Sequence, residues 1–370
     1  MDNQNLENLN KAIDDHKEVN ETVKMTDSKP NDTPEYLGVY KIEKELAFGA
    51  VGKVYLGKHK SLNIPVAIKV LSRTISENIV TSQRFIREAK AAAQLNHINI
   101  VRIMDCGVES EIIYYVMEYV KNGSSGSKLR EQKAPFSEDE VLAIGQSVCR
   151  ALHEAEKYDI VHRDIKPDNI MIADGGLYKV ADLGLAKLNN DPEQIQRSDL
   201  TGYQIGMGTP HYMAPEQAID AKNVDQRADI YSLGVTMFQL ATNKLPYPGS
   251  DVGAVLRKHA VKSIPSVREI NPDLNPGFES MINKCMAKMP EERFQSAKEL
   301  EQELNRLREP LMGNKAIHQD TVTDISEQLL NQLTNESCSQ ENTAIQTSKG
   351  LWIIGLLVFI ILILLITIIE

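Results

Sequence analysis

Residues 162–169 read His162-Arg163-Asp164-Ile165-Lys166-Pro167-Asp168-Asn169, directly after the apolar pair Ile160 and Val161. A carboxylate, an ammonium and an amide therefore crowd into one short stretch, at Asp164, Lys166 and Asn169. A solvated loop would account for the charges but not for their spacing to a second acidic site downstream. Eighteen residues beyond Asp164, the strand-like run that starts at Tyr178 ends in Asp182, Leu183 and Gly184. Asn169 and Asp182 then supply two separate oxygen ligands that could hold Mg2+ against phosphate oxygens, because this small, hard ion prefers oxygen and keeps several of its waters.

Toward the amino end stands Val66-Ala67-Ile68-Lys69. A lysine at the end of a buried apolar strand is costly to leave unpaired, so Lys69 needs an anionic partner. Glu88, inside the helical run 84–90, is one candidate, and a bound phosphate is another. Further upstream, Gly49 and Gly52 separate two strand-like runs, with Val54 just beyond. Glycine lets a backbone approach phosphates closely, and a plain hairpin turn would read the same way.

The periodicity changes along the chain. Short β-like runs cover 41–59, 65–72 and 112–120, interrupted by one helical segment at 81–97. After Ser137 the pattern becomes mainly helical, at 138–157, 227–243 and 278–289. Strands first and helices after predict an α+β fold of two lobes, a small β-rich N-lobe (36–119) and a larger helical C-lobe (120–310).

Taken in order, Gly-x-x-Gly-x-Val at 49–54, Val-Ala-Ile-Lys at 66–69, His-Arg-Asp-x-Lys-x-x-Asn at 162–169, Asp-Leu-Gly at 182–184 and Ala-Pro-Glu at 214–216 match the protein-kinase signature. The chain resembles serine/threonine protein kinases over 36–310, most closely the bacterial membrane-anchored kinases of the eukaryotic type. The resemblance implies the bilobal protein-kinase fold and transfer of phosphate from ATP, with Mg2+, to protein substrates. Lys69 would contact the α/β-phosphates and pair with Glu88, Asp164 would accept or orient the proton of the substrate hydroxyl, and Lys166 would neutralise the transferring phosphoryl group. Asn169 and Asp182 would hold the metal. Leu46, Ala47, Gly49, Gly52, Val54, Ala67, Met117, Glu118, Val120 and Met171 would form the ATP pocket, with the Glu118 carbonyl and Val120 amide meeting the adenine edge.

The same resemblance pairs Glu216 with Arg293 and makes Asp229 the brace of the catalytic-loop backbone. Arg163 before the aspartate implies ordering by a phosphate on the loop between Asp182 and Glu216, where Ser198 and Thr201 are the candidate sites. Thr209 would brace Asp164 and Lys166. Two positions depart from the family pattern: Ala47 replaces the first glycine of the phosphate loop, and Leu183 stands in the middle of Asp-Leu-Gly. Neither removes a charged group, so activity with weaker or slower nucleotide binding is expected. The alternatives are a non-catalytic nucleotide-binding scaffold, disfavoured by the presence of Lys69, Asp164, Asn169 and Asp182, and a small-molecule kinase, disfavoured by the full segment running to Ala-Pro-Glu.

Composition limits the rest. Of 370 residues, 42% are hydrophobic and 25% charged, as in globular chains. The net charge of −10 sits in the flanks. Residues 1–35, with nine acids and four lysines, read as a disordered acidic tail. The near-neutral middle argues against nucleic-acid binding. Four scattered cysteines fit neither a disulfide framework nor a zinc site and point to a reducing cytosol. Residues 311–349 read as a polar linker, with a short amphipathic stretch at 324–333. Leu351–Ile369 is 19 residues without charge. It would span roughly 28 Å as a helix, enough for a bilayer core, so 350–369 reads as one transmembrane helix. A single-pass membrane protein with its kinase domain facing the cytoplasm is expected, and confinement to a surface would favour a transient homodimer for trans-autophosphorylation.

Overall fold

The structure is a computed structural model that describes residues 34–49, 52–71, 79–183, 210–219 and 223–311. The chain divides into a unit that runs to Glu309 and a second that starts at Pro310. Nearly all of the second, including the 324–333 stretch and the apolar run 351–369, lies outside the described residues, as do most of the amino-terminal tail and Cys338. Among the described residues no helix is long and apolar enough to cross a membrane.

Six antiparallel strands form the first lobe: β1 (Tyr36–Leu37), β2 (Tyr40–Phe48), β3 (Gly52–His59), β4 (Pro65–Leu71), β5 (Ile103–Glu109) and β6 (Ile112–Glu118), in the order β1-β2-β3-β4-β6-β5. Side chains alternate across a strand, and an apolar cluster forms on each face of this sheet, with most of β2 left exposed. On one face Leu37, Tyr40, Tyr55, Val66, Ile68, Tyr114 and Val116 pack together. On the other, Ala67, Leu71, Ile113, Tyr115 and Met117 meet Phe85, Ile86 and Ala89 of helix α1 (Ile79–Ala92). The two-residue period of β4 places Lys69 on this second face, between Ala67 and Leu71.

The second lobe is helical. Helix α2 (Ser125–Gln132) starts at a capping box of Ser124 and Ser127, and α3 (Glu138–Glu156) at one of Ser137 and Glu140. Each box satisfies backbone N–H groups that a helix start would otherwise leave orphaned. Short α4 (Pro215–Ile219) precedes α5 (Arg227–Thr242), which is buried on nearly every side and packs against α3 and α8 (Pro276–Cys285). Between α5 and α8 lie α6 (Val252–Val261) and α7 (Val267–Ile270). A last helix, α9, covers 297–311 and is tied across α3 by Arg150–Glu301, Gln146–Asn305 and Arg308–Asp139 bonds, each 2.7 Å. A two-stranded ribbon, β7 (Ile170–Ile172) with β8 (Tyr178–Val180), carries the chain from the 162–169 segment to Asp182. Cys149 and Cys285 are buried thiols whose ionisation burial opposes, as expected of core cysteines.

A buried polar group holds α6. The fully buried His259 takes the Tyr231 hydroxyl at Nδ1 (2.8 Å), stands edge-on to Tyr247, and has the Lys288 ammonium on its own carbonyl (2.8 Å). Burial, with Lys288 nearby, lowers its pKa from 6.5 to about 4. On acidification the unfolded chain therefore takes up this proton first. The stability that the neutral ring carries is complete above pH 6.5 and is lost as pH falls toward 4, by about 3 kcal/mol. Urea midpoints of wild type should accordingly drop more between pH 7 and 4.5 than those of His259→Gln; parallel drops would remove His259 from this account.

Candidate active site

The β2–β3 hairpin closes through reciprocal backbone bonds, Gly49 N–H to the Gly52 carbonyl (2.9 Å) and Gly52 N–H to the Gly49 carbonyl (3.2 Å). The two glycines differ in what they meet. A Cβ on Gly52 would lie 1.9 Å from the Val70 carbonyl oxygen, so the approach of β4 demands glycine there, whereas one on Gly49 would meet only the Gly52 carbonyl oxygen, at 4.0 Å. Ala47 pairs with Val54 across the hairpin, and Leu46 sits exposed at a β-bulge. Val54, Ala67, Met117, Val120 and Met171 gather in one apolar cluster; the exposed Leu46 is not part of it.

Beneath that cluster Lys69 meets Asp182. The ammonium lies 2.7 Å from Asp182 Oδ2, and the Tyr115 hydroxyl donates to Oδ1, also at 2.7 Å. Burial alone would raise the Asp182 carboxyl, but the Lys69 charge and hydrogen bond, with the Tyr115 hydroxyl, outweigh it and hold the group below the usual carboxylate range. Asp182 itself has φ +58°, a left-handed conformation that aspartate tolerates better than most residues. Glu88 belongs to α1, but its side chain lies outside the described residues, so the anionic partner observed for Lys69 is Asp182.

The 162–169 segment is largely buried and irregular up to a single 3-10 turn at Pro167–Asn169, and its buried backbone polar groups must find partners. Asp229, near the start of α5, accepts the N–H groups of His162 (2.8 Å) and Arg163 (2.7 Å), which is the brace that the family resemblance implies. Burial pushes the Asp229 carboxyl up despite the two N–H bonds. His162 Nδ1 takes the Asp164 N–H (3.2 Å), which leaves the ring proton on Nε2 to be donated to the Ala181 carbonyl (2.9 Å). One imidazole thus joins the residue before Asp182 to Asp164. The Ser125 hydroxyl caps the Pro167 carbonyl at 2.8 Å. Lys166 Nζ lies 2.6 Å from Asp164 Oδ2, and Asn169 Nδ2 donates to the Asp164 carbonyl (2.7 Å) and to Oδ2 (3.1 Å).

Strand-like bonds fasten the β7–β8 ribbon to its surroundings. Val101 N–H reaches the Val180 carbonyl, Val180 N–H the Asn99 carbonyl and Ile172 N–H the Gly123 carbonyl, all at 2.8 Å. Lys179 grips the Glu118 carboxylate at 2.7 and 2.9 Å. The segment after Asp182 returns at Pro210, and Thr209, Ser198 and Thr201 lie outside the described residues. Its far end is anchored twice. Arg293 pairs with Glu216 through both Nη atoms (2.6 and 2.8 Å), and Gln217 Nε2 donates to the Arg163 carbonyl (3.1 Å).

The donor set fits the chemistry of Mg2+. Both hydrogen bonds of the Asn169 amide nitrogen go to Asp164, so its oxygen is the atom that can meet a cation. Each Asp182 oxygen accepts a hydrogen bond, from Lys69 or from Tyr115, and has further lone-pair capacity for a metal. Among the described residues no group of three or more His, Cys, Asp or Glu side chains could hold a metal. Two protein oxygens with water and phosphate completing the shell is the arrangement expected of Mg2+ on a nucleotide.

Sequence reasoning misses Tyr115, Gln217 and Lys179. Tyr115 alternates with Met117 on β6, a period-2 signal that aims it at the same pocket; the other two sit beside motif residues whose chemistry is more conspicuous.

Residues 40–304 match the protein kinase domain family. Similar curated proteins include a probable serine/threonine-protein kinase of Clostridium acetobutylicum, 37% identical over 269 residues (73% of this chain, 40% of that protein). The serine/threonine-protein kinase PrkC of Bacillus subtilis is 35% identical over 270 residues, covering 72% of this chain and 40% of that protein. The chain thus spans about 40% of the length of such relatives. The crystal structure of the Mycobacterium tuberculosis PknI kinase domain superposes with a TM-score of 0.58 at 26% identity, covering 74% of this chain and 97% of that one. The chain belongs to the protein kinase domain family. Within it, the similarity runs to bacterial serine/threonine-protein kinases of the eukaryotic type.

Proposed function

We propose that the protein transfers the γ-phosphoryl group of ATP to serine or threonine hydroxyls of protein substrates, its own chain included. The observation that carries this reading is that the Lys69–Asp182 pair, from segments 113 residues apart, is joined to the Asp164–Lys166–Asn169 group through the His162 ring and the Ala181 N–H bond to the Asn169 carbonyl. Asp164, held by Lys166 and Asn169, points a carboxylate oxygen at the incoming hydroxyl and takes its proton as the oxygen attacks phosphorus. Lys166 offsets charge on the group in flight, and Lys69 holds the phosphates that stay behind. When bound, Mg2+ would be held by Asn169 and Asp182 and would offset negative charge on the phosphate oxygens. Catalysis by this chain is then positioning and electrostatics rather than covalent chemistry.

Around that activity we place a membrane anchor at 350–369, supported by its uncharged length, with the kinase domain on the ATP-bearing cytoplasmic side. Crowding at the surface would favour trans-autophosphorylation at Ser198 or Thr201 through a transient homodimer. The test is transfer of label from γ-labelled ATP by the purified full chain with Mg2+. Labelled phosphoserine or phosphothreonine, on the chain or on an added basic protein, is the expected product. Label on small molecules alone, or ATP bound without transfer, would replace this reading with the small-molecule or the scaffold one. Label persisting unchanged in Ser198→Ala/Thr201→Ala, with activity intact, would remove those two sites.

A further inference from the structure

Tyr115 stands directly across from Lys69 in the β4–β6 pairing, and both side chains enter the face that carries the pocket. The tyrosine is fully buried. A buried hydroxyl requires a partner, and this one takes Asp182 Oδ1 at 2.7 Å while Lys69 takes Oδ2 at the same distance. A carboxylate held at one oxygen can still turn about its Cβ–Cγ bond. Held at both, its plane is fixed, and so are the directions of the lone pairs that remain for a cation.

The ring is fixed in turn. Phe85 of α1 packs on it with centroids 5.4 Å apart, and the Lys69 ammonium lies 6.0 Å from its centre. Helix α1, strand β6 and Asp182 are thereby in one line of contact. A tyrosine that merely filled the core would need only its ring, and phenylalanine would serve as well.

We infer that Tyr115 is a positioning residue for metal binding, its hydroxyl and the Lys69 ammonium together setting the plane in which the Asp182 carboxylate meets Mg2+. This rests on the kinase reading, in which Asp182 is a metal ligand. Outer partners of metal-binding carboxylates typically carry 10–100-fold in metal affinity. The experiment compares the full chain with its Tyr115→Phe variant, which keeps the ring against Phe85 and deletes one oxygen. Binding of a non-hydrolysable ATP analogue is measured as Mg2+ is titrated, and again in EDTA.

The expected result is a rise of about tenfold in the Mg2+ concentration for half-saturation, with metal-free affinity for the analogue within about twofold of wild type. Unchanged or tighter Mg2+ dependence in Tyr115→Phe overturns the inference. So does a metal-free affinity that falls by the same factor, since that marks a role in pocket packing. Wild type that binds the analogue without any Mg2+ dependence would overturn the kinase reading itself, and this inference with it, before the variant is compared.

Discussion

Asp164→Asn is expected to slow phosphoryl transfer by about 10³-fold while nucleotide affinity stays within about twofold of wild type. The separation follows from how the residue is held. Its backbone is fixed by the His162 ring at its N–H and by Asn169 at its carbonyl, and its side chain by Lys166 and Asn169 at Oδ2. Asparagine has the same shape and enters the same frame, so neither the loop nor the Lys69–Asp182 pair, which would contact phosphate and metal, has reason to move. What disappears is the negative charge and the capacity to take a proton. General bases contribute 10²- to 10⁴-fold, and the loss should fall in that range. Single-turnover transfer measures the rate and equilibrium binding measures the affinity. A variant that retains a tenth of the rate would deny Asp164 its role; one whose affinity collapses with the rate would make it a phosphate-site residue instead.

The elements that carry this site are legible in the sequence to different degrees. The runs at 41–59, 65–72 and 112–120 alternate or run apolar strongly enough to be read as strands, and β2, β3, β4 and β6 occupy them. Strand β5 escapes, because Asp105 and Gly107 break its pattern and its half-buried residues are ordered by pairing with β6. Helix α2 escapes for a related reason: Ser-Gly-Ser-Lys-Leu-Arg-Glu-Gln is polar and short, and its start is declared only by the Ser124–Ser127 box. The braces at Asp229 and Glu216–Arg293 come through the family resemblance and lie where it implies.

The partner of Lys69 shows where a linear reading stops. Spacing along the chain offers Glu88, whose side chain lies outside the described residues, or a phosphate; among the described residues the contact is with Asp182, brought up by the β7–β8 ribbon and its bonds to Asn99 and Val101. The role of the Tyr115 hydroxyl is hidden for the opposite reason, although the period-2 pattern puts its ring on the Met117 face. In Ile112-Ile113-Tyr114-Tyr115-Val116-Met117 everything looks like core, and only the fold reveals that one of two adjacent tyrosines faces Asp182 while the other faces the opposite side of the sheet. Hydroxyls on apolar strands carry a donor that hydrophobic patterning does not record.

Arg293→Met should cost about 3–5 kcal/mol of stability, a large part of what a domain of this kind possesses. Arg293 is 1% exposed, and all five of its N–H bonds are engaged. Nε reaches the Ala287 carbonyl, Nη1 the Arg227 carbonyl and Glu216 Oε1, and Nη2 the Lys288 carbonyl and Glu216 Oε2. The guanidinium also lies over the Tyr231 ring, 4.9 Å from its centre. Methionine fills much of the volume but satisfies none of these acceptors, so a carboxylate and three carbonyls lose their donor at once. Adding Glu216→Leu removes the orphaned charge, and the double variant should regain part of the loss, because replacing both members of a buried ion pair by apolar groups is often near neutral. Recovery should stop short of wild type, since the three carbonyls remain without their donor. Urea unfolding of the two single variants and the double variant closes the cycle. A loss below 1 kcal/mol for Arg293→Met would show that water or a neighbouring lysine replaces the guanidinium. Full recovery in the double variant would place the whole cost on the Glu216 charge. Partial recovery identifies Arg293 as the tie that holds α4, the start of α5 and the 287–288 turn together, with Gln217 passing that order to the backbone of Arg163 beside Asp164.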